Sequence, residues 1–573
     1  MSTRITIDRR GFLECFARLG LSSTLYPGVL WAQIQQTETP RITKEILRNA
    51  AAVAGMTFTE SEFDAMLHAV NLNVGQLEQI RKVPLENAVA PPLYFNPLVP
   101  GMNIDRTKRL MRTSTQPRVT RPQNLEDVAF WTIPQLASLL RTRQVKSTEL
   151  TEMYLDRLKR YNPKLNCVVT LTEERARRQS READREIAAG HYRGPLHGIP
   201  WGVKDLLAVK SYPTTWGAAP FKARVIDEDA TVVSRLDAAG AVLVAKLSTG
   251  ELAVDDVWFG GQTMNPWDLS MGSQGSSAGP GAATAAGLVV FSIGTETLGS
   301  ILAPSGICGV TGLRPTFGRV SRHGAMALSW TLDKIGPMCR AVEDCAIVLG
   351  AIQGPDDRDM SLHDVPFNWD ASQDIRKLRV GYLKAAFLNT HQTPQTDAND
   401  AAALEKLRTL GVSLVPVDLP EHASLSPRII QWTEMNAALK DPFQTRPREV
   451  LRQDRVVNFN AARFVTGSDY LEANRIRSLL MREMARILSD VDVYVIPFDY
   501  ADYTPNPVAT LHTSVANLTG QPSVIVPHGF NEKGNPTSLT LAGGVFGEAG
   551  MLALAKAYQD ATEWHRKHPK LFP

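Results

Sequence analysis

Residues 272–300 read GSQGSSAGPGAATAAGLVVFSIGTETLGS, a run in which hydroxyl side chains recur beside glycine. A serine hydroxyl is a weak nucleophile at its free pKa and attacks an acyl carbon only when an adjacent base takes its proton. One pattern is Gly275-Ser276-Ser277-Ala278-Gly279, which fits G-x-S-x-G with Ser277 as the nucleophile of a strand-to-helix elbow. That elbow requires a strand immediately before it, and Asn265-Pro266-Trp267-Asp268-Leu269-Ser270-Met271-Gly272 does not read as one. The blandest alternative is a Gly/Ser linker. It fails on detail: Ala282 to Ala286 are strong helix formers, and Pro280 sits where a first-turn proline is tolerated. An apolar strand follows, then a tight Thr297-Leu298-Gly299-Ser300 turn. Core-grade helix and strand do not bracket a linker.

Read with its neighbours upstream and downstream, the region resembles the amidase signature family. The family's Ser/Gly motif appears as Gly275-Ser276-Ser277-Ala278-Gly279 and its second serine motif as Gly294-Thr295-Glu296-Thr297-Leu298-Gly299-Ser300. The lysine motif appears as Leu196-His197-Gly198-Ile199-Pro200-Trp201-Gly202-Val203-Lys204-Asp205. Cys308–Ser321, Asp333–Met338 and Asn517–Pro522 also look like family segments, so the resemblance spans roughly residues 130 to 570. The resemblance implies a hydrolase with a Ser–Ser–Lys triad and no metal or organic cofactor. Ser300 would be the nucleophile, Ser276 the bridging serine and Lys204 the base, with a cis peptide bond entering Ser276.

These residue types suit the work. Lysine is a base only when neutral, and burial lowers its pKa because the charged form loses hydration. Trp201-Gly202-Val203 is an apolar approach that would desolvate Lys204. Ser276 would pass the proton between Lys204 and Ser300, and Ser277 would assist by hydrogen bonding or serve only the structure. A tetrahedral intermediate puts negative charge on the carbonyl oxygen, and the backbone N–H groups of Thr297, Leu298, Gly299 and Ser300 are the expected oxyanion donors. Gly299 fits a turn in which backbone comes close. Two departures touch the acyl pocket rather than the triad. Many relatives carry Asp-x-Gly-Gly-Ser where this chain has Glu296-Thr297-Leu298-Gly299-Ser300, and many carry Arg where it has Leu302.

The elements that must position these groups read as α/β. Short apolar runs such as Val242–Ala245, Leu288–Phe291, Leu378–Tyr382, Val491–Pro497 and Ser523–Pro527 alternate with helical patterns. That alternation predicts a large mixed, mostly parallel sheet flanked by helices. Apolar residues at helical spacing predict helices over 41–90, with Thr59-Glu60-Ser61-Glu62 as a capping box. Ser147 reads as an N-cap, Glu173–Arg177 and Glu174–Arg178 as i, i+4 ion pairs, and Gly190 as a helix end. The basic segment 106–121 lacks interleaved aromatics and reads as a solvated linker.

Composition bounds the function classes. The 573 residues are 43% hydrophobic and 21% charged, which fits a globular protein. The net charge of +3 gives no case for a nucleic-acid or membrane-surface protein. Ile7-Asp8-Arg9-Arg10-Gly11-Phe12-Leu13, followed by an apolar stretch to Trp31 and by Ala32, resembles a twin-arginine export signal. The expected organisation is therefore a signal over 1–32, a helical extension and Pro/basic linker over 33–125, and the catalytic domain over 126–573. The expected location is the periplasm or the exterior, with Cys167, Cys308, Cys339 and Cys345 in the mature chain and no zinc-type spacing among them. The expected activity is hydrolysis of a linear carboxamide by a monomer or homodimer that binds a small-molecule amide and no nucleic acid, and meets the export machinery only in transit. The alternatives are an elbow-type esterase using Ser277, one component of an amidotransferase, and a periplasmic binding protein without catalysis.

Overall fold

The computed structural model describes residues 41–84, 94–115, 118–388, 393–425, 427–439, 452–498 and 506–573. The export-type segment lies outside them. Two strands of a short hairpin apart, all the described strands join one eleven-stranded sheet. In chain order the strands are β1 (Val168–Leu171), β2 (Pro200–Lys204), β3 (Val242–Leu247), the hairpin pair β4 (Val257–Trp258) and β5 (Gly261–Gln262), β6 (Phe291–Glu296), β7 (Thr311–Arg314), β8 (Lys334–Cys339), β9 (Val380–Leu383), β10 (Leu414–Val417), β11 (Val493–Pro497), β12 (Ser523–Phe530) and β13 (Pro536–Gly543). Their order across the sheet is β1-β3-β2-β6-β8-β7-β12-β13-β11-β9-β10.

The sheet is mixed, as expected, but antiparallel pairs outnumber parallel ones. Only β3–β2, β2–β6, β11–β9 and β9–β10 run parallel. The reason is local: β12 and β13 are joined by a tight turn, which forces antiparallel pairing, and β8 enters between β6 and β7 against both. The central strands are almost wholly buried, with Pro200–Lys204 in β2 and Pro536–Gly543 in β13 buried at every residue and only Thr295 in β6 and Phe530 in β12 partly open. That is why they read as continuous apolar runs. The run Leu288–Phe291 becomes strand only at Phe291, its first three residues forming a buried approach.

The helices that matter for the site are α1 (Lys44–Val53), α2 (Glu60–Lys82), α3 (Ala278–Ala285), α4 (Leu302–Cys308), α5 (Gln453–Ala462) and α6 (Gly467–Asp490). Thr59 and Glu62 form the expected capping box at the start of α2. Pro280 stands in the first turn of α3, where the missing N–H costs no helical bond. Ser147 is not the cap of its helix: Lys146 holds that position, and the Ser147 hydroxyl donates to the Gly198 carbonyl at 2.9 Å. Gly190, at φ +85°, follows the end of Glu173–Ala188 as expected. Arg177 meets Glu173 at 2.9 Å on that helix. Cys167, Cys308, Cys339 and Cys345 are buried free thiols.

Candidate active site

The site forms where parallel neighbours β2 and β6 end. Their register pairs Trp201 with Phe291 and Val203 with Ile293, so Lys204, the last residue of β2, lies beside the second half of β6. Carboxyl ends of parallel strands are where α/β sheets open into ligand crevices. Trp201 stacks on Phe291 at 5.8 Å between centroids, and both are buried. The stack joins Val203 and Ile293 in the main apolar core.

Lys204 is fully buried. Its Nζ lies 2.9 Å from Ser276 Oγ, 3.0 Å from Ser277 Oγ and 2.8 Å from Thr295 Oγ1, with the Thr295 carbonyl at 3.3 Å. No carboxylate touches it among the described residues. Burial lowers its pKa well below the usual lysine value, against the weaker pull of Asp333 and Glu296. The proton inventory gives Ser276 a particular place. The Ser277 hydroxyl donates to the Thr295 carbonyl at 3.1 Å and accepts from Lys204, so its proton is already committed. A neutral amine has one lone pair. With Ser277 committed, the Ser276 and Thr295 hydroxyls are the ones placed to give that lone pair a proton.

The two serine motifs are laced together. Ser277 N–H donates to the Ser300 carbonyl at 3.1 Å, and Thr295 N–H donates to Ser277 Oγ at 3.2 Å. The Gly275–Ser276 peptide bond is cis, as the resemblance implied. No strand precedes Ser277, which follows bends and an isolated bridge at Gly272, so the elbow's geometry is not met. Ser300 instead follows β6 through a turn and precedes α4, which is the strand–turn–helix placement of a nucleophile. Its hydroxyl carries no hydrogen bond among the described residues, and the residue is partly exposed.

The turn from Thr297 to Ser300 has the makings of an oxyanion cradle. None of its N–H groups donates to another described residue, while the Gly299 carbonyl accepts from Ala303 at 2.7 Å. Gly299 has φ +86°, a left-handed conformation that favours glycine. An added Cβ would meet nothing nearer than Thr513 at 3.8 Å, so the conformation, and not close backbone approach, requires glycine here. Sequence reasoning missed what braces this turn. The buried Glu296 carboxylate accepts from Ile301 N–H at 2.9 Å and Leu302 N–H at 3.1 Å, and pairs with the buried Arg314 at 2.8 Å. Burial opposes that charge, but Arg314 and then Lys334 hold the carboxyl down to about 2. Thr297 donates to Asp333 at 2.5 Å, tying the other side of the turn to the start of β8. Thr295 and Glu296 sit inside the second serine motif; only their partners were invisible there.

Neither departure noted in the sequence lines the cavity beside the turn: Glu296 is the internal brace just described. Leu302 is buried among Ile307, Phe498 and Ile525, an apolar setting where an arginine would lack partners. Beside Thr295 and Thr297 opens a cavity of about 320 Å³. Leu206, Met326, Leu328 and Trp330 give it apolar walls, and Arg322, Asp359 and Asp333 give it polar ones.

A protein-family model described as Amidase matches residues 149–552. The chain therefore belongs to the amidase family and is a hydrolase of amide bonds. One component of the glutamyl-tRNA(Gln) amidotransferase of Methylococcus capsulatus is 35% identical over 479 residues, covering 76% of this chain and 98% of its own. Among solved structures, the peptide amidase of Stenotrophomonas maltophilia superposes with a TM-score of 0.68 at 31% identity, covering 76% of this chain and 98% of that one. A 6-aminohexanoate cyclic dimer hydrolase, at 23% identity and a TM-score of 0.68, shares the fold.

Proposed function

We propose that this chain hydrolyses the C–N bond of a linear carboxamide through a seryl acyl-enzyme. Neutral Lys204 takes the Ser276 proton as Ser276 takes that of Ser300, and Ser300 Oγ attacks the carbonyl carbon. The N–H groups of Thr297, Leu298 and Gly299 receive the developing oxyanion. Collapse expels the amine, which receives the proton back along the same relay. Water then enters by the reverse route and frees the acid. The observation that carries this reading is a buried lysine with no acid in contact, its hydrogen bonds running to the first serine motif and to Thr295 on the strand that leads into Ser300.

The Arg9-Arg10 segment supports an exported enzyme of the periplasm or exterior over an amidotransferase component that must meet transfer RNA in the cytoplasm. Replacing both arginines by lysine should leave the protein in the cytoplasmic fraction; unchanged export would refute that part. For the chemistry, a fluorophosphonate should modify Ser300, found by peptide mass spectrometry. Ser300→Ala should abolish turnover across a panel of aryl and alkyl amides. Activity retained in pure Ser300→Ala, or labelling at Ser277 instead, would overturn the assignment.

A further inference from the structure

The loop 250–256 touches the bridging serine and is held in an unusual conformation. Gly250 N–H lies 3.4 Å from the Ser276 carbonyl. A Cβ on Gly275 would fall 1.8 Å from the Asp255 carbonyl oxygen, so these two backbones are in direct contact and only glycine fits between them. Leu252, Ala253 and Asp255 have φ of +53°, +63° and +52°, and Gln274, next to Gly275, has +61°. Four non-glycine residues in the left-handed region around one contact persist only where the surroundings over-determine them.

What over-determines the loop is α5 and the residue that starts it. Arg455 is 2% exposed. It donates to the carbonyls of Glu251 at 3.3 Å and Val254 at 3.0 Å, and to the Asp255 carboxylate at 2.7 Å. Arg452 donates from Nη1 to both Asp255 carboxylate oxygens, at 3.0 and 2.9 Å, and from its N–H to Glu251 at 3.0 Å. The apolar side of α5 packs Val456 and Phe459 into a cluster with Leu252, Ala253, Met326 and Leu328. The last three of these line the cavity beside Thr297.

The opposite side of α5 is covered by the N-terminal helices. Ala461, with Val457 and Phe464, packs against Leu47, Phe63 and Met66 of α1 and α2. Arg81 at the end of α2 grips Asp469 of α6 with two bonds of 2.8 Å. Both helices lie before the family match at residue 149. The M. capsulatus relative covers 98% of its own length within 76% of this chain, so it has little room for their counterpart.

We infer that Arg455, aided by Arg452, is a positioning residue for the bridging serine, and that α1 and α2 exist to seat α5 from behind. The guanidinium fixes the left-handed loop against Gly275–Ser276, and the extension fixes the guanidinium. This rests on Ser276 acting as the bridge. The rival account is that the extension only pads the fold.

The test reads Ser300 reactivity as the rate of fluorophosphonate labelling per folded site, with folded protein counted by thermal unfolding. Misplacing a catalytic group by about 1 Å can cost on the order of 100-fold. Arg455→Met should therefore label about 10- to 100-fold more slowly per folded site. Arg455→Lys should recover part of that loss, since it restores charge without the fork. The double change Phe63→Ala with Met66→Ala should slow labelling about threefold, the smaller effect of a looser seat. Wild-type rates per folded site in Arg455→Met, or in the α2 double variant once proteolysis shows its helices loosened, would overturn the inference. A wild-type chain that never labels would remove the Ser300 chemistry itself, and the role of Arg455 with it.

Discussion

Two lysines, both fully buried and on neighbouring strands, have opposite surroundings. Lys204 at the end of β2 faces only hydroxyls and a carbonyl. Lys246 in β3 has the Asp205 carboxylate at 2.8 Å, with Thr214 Oγ1 at 2.6 Å and the Leu207 carbonyl at 3.1 Å. Burial lowers the pKa of both, but Asp205 pulls against that at Lys246, whereas no acid among the described residues touches Lys204. A buried charge with a hydrogen-bonded partner is a structural part; a buried amine denied one is pushed toward its neutral, basic form. Asp205 stands next to Lys204 in the chain yet serves the other lysine, because it lies in the turn just past the end of β2, where its carboxylate reaches Lys246 of the neighbouring β3. Sequence adjacency would have paired the wrong two.

The sharpest way to break this contrast is at the nucleophile. Ser300→Ala should lower kcat by at least about 10⁴-fold with the fold intact by circular dichroism. Lys204→Met should lower kcat by about 10³-fold or more without destabilising the fold near neutral pH. Lys246→Met should do the reverse. It strands the Asp205 carboxylate in the interior and should destabilise by about 3–5 kcal/mol in denaturant melts, with kcat per folded molecule reduced far less. Equal behaviour of the two variants would erase the distinction.

The pH dependence follows from the sign of the shift. The folded pKa of Lys204 is depressed, so between it and the unfolded value of about 10.4 the unfolded chain binds the extra proton. Stability contributed at this site therefore rises with pH across that window and levels off above it. Lys204→Met should remove that rise from melts at a series of pH values. Activity should also climb with pH through the folded pKa and then plateau, since the neutral amine is the base. The smallest effect is expected at Ser277. Ser277→Ala loses bonds to Lys204 and Thr295 but no reacting group, and should reduce kcat about tenfold. A dead Ser277→Ala beside an active Ser300→Ala would restore the elbow reading.

Legibility differed sharply along the chain. The two serine motifs were readable because glycine, serine and alanine in that order serve a turn and a helix start, and each motif is local. The strands of β3, β9, β11 and β12 were readable as apolar runs. The balance of the sheet was not, since whether two runs lie parallel depends on which becomes whose neighbour. Glu296 illustrates the limit. It read as a departure from the family's aspartate, yet its longer reach spans the turn to Ile301 and Leu302 while meeting Arg314, a residue 18 positions on.

By itself, the order of side chains determined the local shapes of the two serine motifs. It showed the turn glycine and the helix that begins after the first serine pair, because such preferences act over a few residues, while the roles expected of Lys204, Ser276 and Ser300 came from the resemblance to the family's motifs. Only the tertiary structure decided that Lys246 meets a carboxylate while Lys204 meets none among the described residues, and which helix holds the loop at 250–256. Those outcomes depend on desolvation and on contacts made between residues far apart in the chain, such as Arg455 with Asp255 and Lys246 with Asp205, and no local pattern encodes them.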